Sequence, residues 1–551
     1  MSIKRVKKDN LVMAPCTNAC PAGIDVPRYL RCIKAGDFDE SLAVIREKIP
    51  FPTVCADACF NPCEDSCAYK QFGDPIAIRA LKRAAVDKGN GLWKKNKKVA
   101  NSTDKKIAII GAGPSGLTAA YYLVSLGHSV AVYDTFPKPG GTMRYGIPQY
   151  RLPEERLDKD VNDILEWGVT FKGNTTIGKD ITLDQLKLEY DAIFIASGTN
   201  NSLKIPLEGM EKKNVLWGFD FLRDFKLGLG KFIDLKGDVI VVGGGNVAID
   251  VALTAKRIGA ANVNLFCLEK REEMPAHEWE IARAEEEGIL IHNSWAPNKI
   301  LGEESVKGLK VMKCLSVFDP AGKFNPKYDE ETTSKCEANY LILAIGQTSN
   351  LEFLKNEKNI QIDRGRVGVE ETSLVTGADG LFAGGDVVSG PFSIINAIAH
   401  GRKAAAAIDR NLGGAGNIDE VLAKPEKEIY LPEFEMDIKP RNDMAILKSW
   451  ERTSCFDHVE LGLKEDQIRE EAGRCLNCDA RKFEVVLKTQ YCKDCGYCAE
   501  VCKMGTFGPA DFFNDKGYRP EEVKSSDWCV GCLKCYFSCP DFAIDVVEVT
   551  G

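Results

Sequence analysis

A chain of 551 residues, 44% apolar and 28% charged, is long enough for three or four domains that each bury a core. Its net charge of −8 argues against nucleic acid as the main partner. No run nears the roughly 18 apolar residues of a membrane span, and the basic MSIKRVKKDNLVMAPC lacks the apolar stretch of a signal peptide, so the cytoplasm is the expected location.

Taken in chain order, residues 1–104 combine Cys-rich turns with helical stretches such as PRYLRCIKAGDFDESLAVIREK and PIAIRALKRAAVDKG, and end in a Lys-rich polar linker. At 107 the texture changes: KIAIIGAGPSGLTAAYYLVSLGHSVAVYD reads strand, Gly-rich turn, helix, strand. A second such unit, GDVIVVGGGNVAIDVALTAKRIGAANVNLFCLE, begins at 237. The segments YDAIFIASGT and ANYLILAIGQT are strands ending in small-residue turns at Gly198 and Gly346, and FAGGDVVSGPFSIINAIAHGRKAAAAID is another strand–turn–helix. The spacing predicts an α/β fold with two Rossmann-like dinucleotide-binding domains, the second (236–345) inserted into the first (105–235 and 346–411). Residues 412–484 read as an extended connector ending in a helix with a Cys-x-x-Cys pair, and 485–551 as a small Cys-rich module of ferredoxin-like α+β type.

In the first unit Gly111 permits the tight turn, Gly113 lets backbone approach a pyrophosphate, and Gly116 lets helix and strand pack closely; Ala112 and Ser115 share that turn. Asp134 ends the next strand, 23 residues after Gly111, where a carboxylate can accept from a ribose. The second unit carries Gly243, Gly245 and Ala248, with Asn246 and Val247 between them. Its second strand ends at Leu268 and Glu269, and a carboxylate there suits the free 2′-hydroxyl of NAD(H) in preference to the 2′-phosphate of NADP(H). Lys270 and Arg271 follow, and either could turn toward a phosphate.

These motifs, with PGGTMRYGIPQYRLP, REEMPA and FAGGD, make the chain resemble the small (beta) subunit of glutamate synthase and its relatives. Those relatives include the N-terminal part of dihydropyrimidine dehydrogenase and ferredoxin–NAD(P) oxidoreductases. The resemblance covers residues 14–480 and implies FAD in the first site and a nicotinamide nucleotide in the second. It places Gly141, Thr142 and Arg151 along the flavin nucleotide and Asp386 at its ribityl–pyrophosphate region. The helix bearing Asn396 would aim its N-terminus at the flavin ring. Family members that use NADPH tend to carry two arginines where this chain has Leu268 and Glu269. The nucleotide domains also lack the redox Cys-x-x-Cys of thioredoxin reductases.

The chain has 21 cysteines, mostly within 16–67, 475–502 and 529–539, a pattern of metal ligation and not of disulfides. The C-terminal module doubles the Cys-x2-Cys-x2-Cys-x3-Cys run, in which the fourth cysteine of each run serves the other cluster. One [4Fe–4S] would take Cys492, Cys495, Cys498 and Cys539, and the other Cys502, Cys529, Cys532 and Cys535; zinc suits this pattern poorly. Lys503 stands where proline usually follows the fourth cysteine. By the resemblance, a third cluster would join Cys475 and Cys478 to Cys16 and Cys67. A fourth would use Cys20, Cys59 and Cys63. Family members complete that set with Glu or Gln at the position of Lys82, which cannot ligate iron, so Cys55 is the expected fourth ligand. Four such sites use 16 thiolates and leave Cys32, Cys267, Cys314, Cys336 and Cys455.

Together these parts imply an NADH-dependent flavo-iron–sulfur oxidoreductase that splits a hydride into single electrons for ferredoxin or for the catalytic subunits of a larger redox complex. Two other readings compete: a glutamate synthase small subunit, and an electron-wiring subunit that never meets a nicotinamide.

Overall fold

The computed structural model describes residues 3–7, 11–229, 235–432 and 438–549. The rest of the basic N-terminal segment, residues 230–234 before the second nucleotide unit and residues 433–437 of the connector lie outside the described residues. The chain divides into two compact units, Val99–Ile418 with Ile446–Leu461, and Met1–Lys98 with Asp419–Ala445 and Gly462–Gly551. Among the described residues no helix is long and apolar enough to cross a membrane.

In the nucleotide unit, one sheet orders five parallel strands: Leu381–Ala383, Ala192–Ile195, Lys106–Ile110, Ser129–Tyr133 and Thr170–Lys172. Its central strands are continuous apolar runs because both faces are covered, and Ile107, Ala108 and Ile109 are fully buried. The helices Pro114–Ser125 and Ile394–Asn411 pack so closely that a Cβ on Gly401 would stand 2.3 Å from the Ser115 carbonyl oxygen.

A second parallel sheet orders Leu290–His292, Val263–Phe266, Val239–Val242, Tyr340–Leu343 and Val215–Trp217. The strand Val215–Trp217 precedes residue 236, so this domain reaches back into a stretch that the sequence pattern assigned to the first. One face of the sheet carries the helix Asn246–Arg257. The other buries Ile240, Val242, Leu341 and Leu343 against Ile300, Leu309 and Val311 of an antiparallel three-stranded sheet, Trp295–Leu301, Gly308–Phe318 and Phe324–Glu337.

The predicted connector is not uniformly extended. Within it, Ile446–Leu461 packs on the nucleotide unit: the Val459 N–H donates to the Tyr150 carbonyl at 3.0 Å, and buried Arg452 pairs with Glu286 at 2.7 Å and Glu287 at 3.5 Å.

The other unit joins both ends of the chain. Its N-terminal helices Val26–Ala35 and Phe38–Arg46 are capped by the carboxylates of Asp25 and Asp37, which accept from backbone N–H groups in their first turns. Helix Glu465–Gly473 packs against Val26–Ala35 and Ile78–Lys88. The C-terminal module holds two antiparallel ladders, Phe483–Leu487 with Ile544–Glu548 and Phe507–Pro509 with Glu521–Val523. Two short helices, Tyr497–Val501 and Lys534–Ser538, complete it.

Candidate flavin, nicotinamide and iron–sulfur sites

The turn after Lys106–Ile110 leaves no room for side chains. Gly111 has φ +109°, and a Cβ there would lie 2.3 Å from the Ala196 carbonyl oxygen. Gly141, at φ +53°, faces Gly113 so closely that its Cβ would stand 2.6 Å from the Gly113 Cα. The Gly140 N–H donates to the Ala112 carbonyl at 2.8 Å, which ties the Gly141–Thr142 turn to the Gly-rich loop. Asp134 accepts from the N–H groups of Ala112 at 2.7 Å and Phe136 at 2.9 Å, while burial pushes its carboxyl pKa up. Its placement supports the loop directly.

Two buried hydroxyls, Ser115 Oγ and Ser197 Oγ, have no hydrogen-bond partner among the described residues. One lies at the start of the helix Pro114–Ser125 and the other beside Gly198, whose added Cβ would meet nothing within 4 Å. Orphaned donors at a helix N-terminus with glycine-lined space fit a bound pyrophosphate. Ser197 was not singled out by the sequence; its only signal was its place in the small-residue turn. The FAGGD turn folds onto this region, because a Cβ on Gly385 would stand 2.9 Å from the Ser115 Cβ. Burial holds the neighbouring Asp386 carboxyl up to about 6. Asn396 sits in the first turn of the helix capped by Ser393 Oγ, which accepts its N–H at 3.2 Å.

Arg151 has a different neighbourhood from the one the resemblance implied. Its half-buried guanidinium lies between Asp250 at 2.6 Å and Glu280 at 2.7 Å, carboxylates of the second nucleotide domain. Two anions at that distance hold both ends of the guanidinium fork, so Arg151 clasps the second domain.

At the second Gly-rich turn, Gly243 has φ +144° and an added Cβ would stand 2.2 Å from the Ala344 carbonyl oxygen. Glu269 reaches this turn: its Oε2 would lie 2.5 Å from a Cβ on Gly244, and burial pushes its pKa up. The REEMPA segment closes over the turn through the Ala276 N–H to the Gly244 carbonyl at 3.2 Å and the His277 N–H to Asn246 Oδ1 at 3.0 Å. Arg271 points both guanidinium arms at Glu278, at 2.7 and 2.8 Å, and Lys270 pairs with Glu273 at 3.5 Å. Gly346, at φ +126°, ends the strand beside Leu203, and Val247 and Ala248 open the helix after the turn.

Two of the expected cysteine sets each line a hollow, and no disulfide is present among the described residues. Cys16, Cys67, Cys475 and Cys478 line one small hollow with Pro15, Leu30 and Ile78. Burial first, then Cys475, Cys478 and Cys67, push the Cys16 thiol pKa far up. Cys502, Cys529, Cys532 and Cys535 line a second small hollow with Gln71 and Phe507. Cys498 neighbours Cys492 and Cys495, and burial holds its thiol up to about 12. Cys539 accepts the Ala543 N–H at 3.3 Å, and the Lys493–Asp541 ion pair draws its stretch to the Cys492 run. Among the described residues no three His, Cys, Asp or Glu side chains close up as a single ion requires; in the two hollows the thiols surround space instead.

Around the remaining set the residue of interest is Lys82. It is 4% exposed on the helix Ile78–Lys88, which packs against Pro52–Ala58, the helix carrying Cys55. Burial works against its charge, but Cys59, Cys55, Cys63 and Cys20 outweigh it and raise its pKa. Those are the four thiols expected to share a cluster, and Lys82 lies among them.

Two interlocked nucleotide domains in one unit and thiol-lined hollows in the other define a flavin- and iron–sulfur-containing pyridine-nucleotide oxidoreductase. The chain belongs to the pyridine nucleotide-disulphide oxidoreductase family, whose model matches residues 105–401, and the dihydropyrimidine dehydrogenase domain II, 4Fe-4S cluster model matches residues 10–92. It is 37% identical over 502 residues to the NADP(+)-dependent formate dehydrogenase subunit beta of Moorella thermoacetica, covering 85% of this chain and 71% of that one. It is 35% identical to the NADPH-Fe(3+) oxidoreductase subunit beta of Geobacter sulfurreducens, covering 84% of this chain and 75% of the relative. With the NAD-dependent dihydropyrimidine dehydrogenase subunit PreT of Escherichia coli O157:H7 it shares 33% identity, covering 73% and 92%. The fold matches Mycobacterium tuberculosis FprA at 18% identity and TM-score 0.50, over 56% of this chain and 85% of that one. The chain is therefore a flavo-iron–sulfur electron-transfer oxidoreductase that uses FAD, [4Fe–4S] clusters and a nicotinamide nucleotide.

Proposed function

We propose that this chain oxidises NADH, carries four [4Fe–4S] clusters, and serves a ferredoxin or the catalytic subunits of a larger redox complex. What supports this reading is that two of the expected sets, Cys16/Cys67/Cys475/Cys478 and Cys502/Cys529/Cys532/Cys535, each line a hollow, and that all 16 cysteines belong to one compact unit. Bound FAD would accept a hydride and release its electrons singly, the conversion that links a two-electron donor to one-electron clusters. The chain's own residues supply position and charge. Ser115 and Ser197 offer hydroxyls to the flavin nucleotide, Gly113 and Gly141 admit its pyrophosphate, and Asp386 faces the same pocket. The ligand sets are Cys16/Cys67/Cys475/Cys478, Cys20/Cys55/Cys59/Cys63, Cys492/Cys495/Cys498/Cys539 and Cys502/Cys529/Cys532/Cys535.

The preference for NAD(H) rests on Glu269 at the second Gly-rich turn and on Arg271, already taken up by Glu278. Two of the relatives named above are NADP(H)-dependent and one is NAD-dependent, which makes the 2′-phosphate the specific question. Thiolate-bound clusters persist in a reducing compartment, which supports a cytoplasmic location. The test is anaerobic purification: protein with about sixteen irons should reduce a low-potential acceptor from NADH, with a higher kcat/KM than from NADPH. Failure to reduce any such acceptor sinks the reading. A flavin that neither nucleotide bleaches points instead to a wiring subunit.

A further inference from the structure

Lys503 stands where proline ordinarily follows the fourth cysteine of a ferredoxin run. In the structure its backbone N–H donates to Gln71 Oε1 at 3.0 Å. Proline has no N–H and would break this bond. Gln71 is 1% exposed, and its Nε2 donates to the Val501 carbonyl at 2.7 Å. Its own carbonyl accepts from Lys534 Nζ, and the Lys70 carbonyl accepts from Lys503 Nζ at 3.4 Å. Val501 and Lys503 flank Cys502, and Lys534 precedes Cys535. Gln71 thus holds both runs that supply one thiol set.

The same short helix, Ala68–Gln71, begins right after Cys67. Ala68 and Tyr69 line the hollow around Cys16, Cys67, Cys475 and Cys478, while Gln71 lines the hollow around Cys502, Cys529, Cys532 and Cys535. Four residues therefore form a wall of both. From Cys67 the covalent chain runs to the Gln71 amide, and one hydrogen bond leads on to the residue after Cys502. A buried amide satisfied at both ends has one orientation. On the reading that these two sets hold clusters, we propose that Gln71 and the Lys503 N–H form the junction through which electrons pass from the N-terminal clusters into the ferredoxin-like module. With clusters held by the two sets, one electron would leave the set at Cys67 for each that arrives at the set of Cys502, with no bond formed or broken and no proton moved. NADH is the reductant. Gln71 is a positioning residue, and the exchange of proline for Lys503 is what gives it a donor.

The test compares Lys503→Pro, Lys503→Ala and Gln71→Leu in the full-length, iron-loaded protein. Rapid-freeze electron paramagnetic resonance follows each cluster after mixing with NADH, and the fully reduced samples report magnetic coupling between the two clusters. Lys503→Ala keeps the N–H and should match wild type. Lys503→Pro and Gln71→Leu should lose the fast phase of module reduction and the coupling signal. Flavin bleaching, iron content and the amount of each cluster that dithionite reduces should stay unchanged. Fast module reduction in Gln71→Leu overturns the proposal, as does slow reduction in Lys503→Ala. If Lys503→Pro loses iron, Gln71→Leu alone decides. A wild-type protein whose module clusters never accept electrons from NADH overturns the broader functional reading instead.

Discussion

Lys82 places a positive charge among four thiols in a site that excludes water. The potential of an iron–sulfur cluster depends on net charge, hydrogen bonds to its sulfurs and exposure. A fixed ammonium favours the more negative, reduced cluster, so Lys82→Met should lower the midpoint potential of that one cluster with iron content unchanged, read by redox titration with magnetic resonance detection. Cys55→Ala should remove one cluster, taking iron from about sixteen to about twelve atoms; retention of four intact clusters would refute its assignment as a ligand. At the nucleotide turn, Glu269→Gln keeps a hydrogen-bonding oxygen and removes the repulsion of a 2′-phosphate. A charged hydrogen bond contributes about 1.5 kcal/mol or more, so NADH/NADPH discrimination should fall about tenfold or more in kcat/KM. The close cysteine runs of the C-terminal module were legible in the sequence because thiolate spacing around a cubane is dictated by covalent geometry over a few residues, whereas the pairing of Cys475 and Cys478 with Cys16 and Cys67 came only from the family resemblance. The place of Arg151 was not legible, because its partners Asp250 and Glu280 lie 99 and 129 positions away and only the folded chain brings them to it.

Among the elements, the helix Glu465–Gly473 decides where the Cys475–Cys478 pair goes. Its Glu471 is fully buried and accepts the N–H groups of Ala77 and Asn442, each at 2.8 Å, while pairing with Arg474 at 2.5 Å. Arg474 in turn donates to the Asp74 carbonyl at 2.7 Å and stacks over Tyr69 at 4.3 Å. One carboxylate thus seats the pair against the segment that follows Cys67. Glu471→Ala leaves Arg474 buried without its anion, a loss of about 3–5 kcal/mol, and should appear as a lower unfolding temperature with selective loss of that cluster. The parallel sheets were readable from their apolar runs and Gly-rich turns. The antiparallel layer over the second sheet was not: Gly308–Phe318 and Phe324–Glu337 are polar on their outer face, and their pairing depends on a buried partner elsewhere. The polar stretch around Arg452 looked like a linker for the same reason, since a buried Arg is marked by its carboxylate partners and not by its neighbours in sequence.

At the scale of the whole molecule, Met1–Lys98 shares one compact unit with Asp419–Ala445 and Gly462–Gly551, and the nucleotide domains lie between them in the chain. A cluster built from Cys16, Cys67, Cys475 and Cys478 ties residues more than 400 positions apart, so it closes the chain as well as carrying charge. These two roles separate experimentally. A chain ending at residue 461 keeps the segment that packs on the nucleotide unit but lacks half the ligands, and should lose this cluster while keeping a flavin that NADH bleaches. Cys478→Ala is the gentler cut, since it removes one thiolate and leaves the helix and the ferredoxin-like module in place. NADH should then still bleach the flavin at the wild-type rate, while reduction of the module's two clusters by NADH is lost. Dithionite, which reaches the module from solvent, should reduce both as before. If NADH still reduces the module with this cluster absent, the electrons have another entrance, and Cys475–Cys478 is a staple without being a relay.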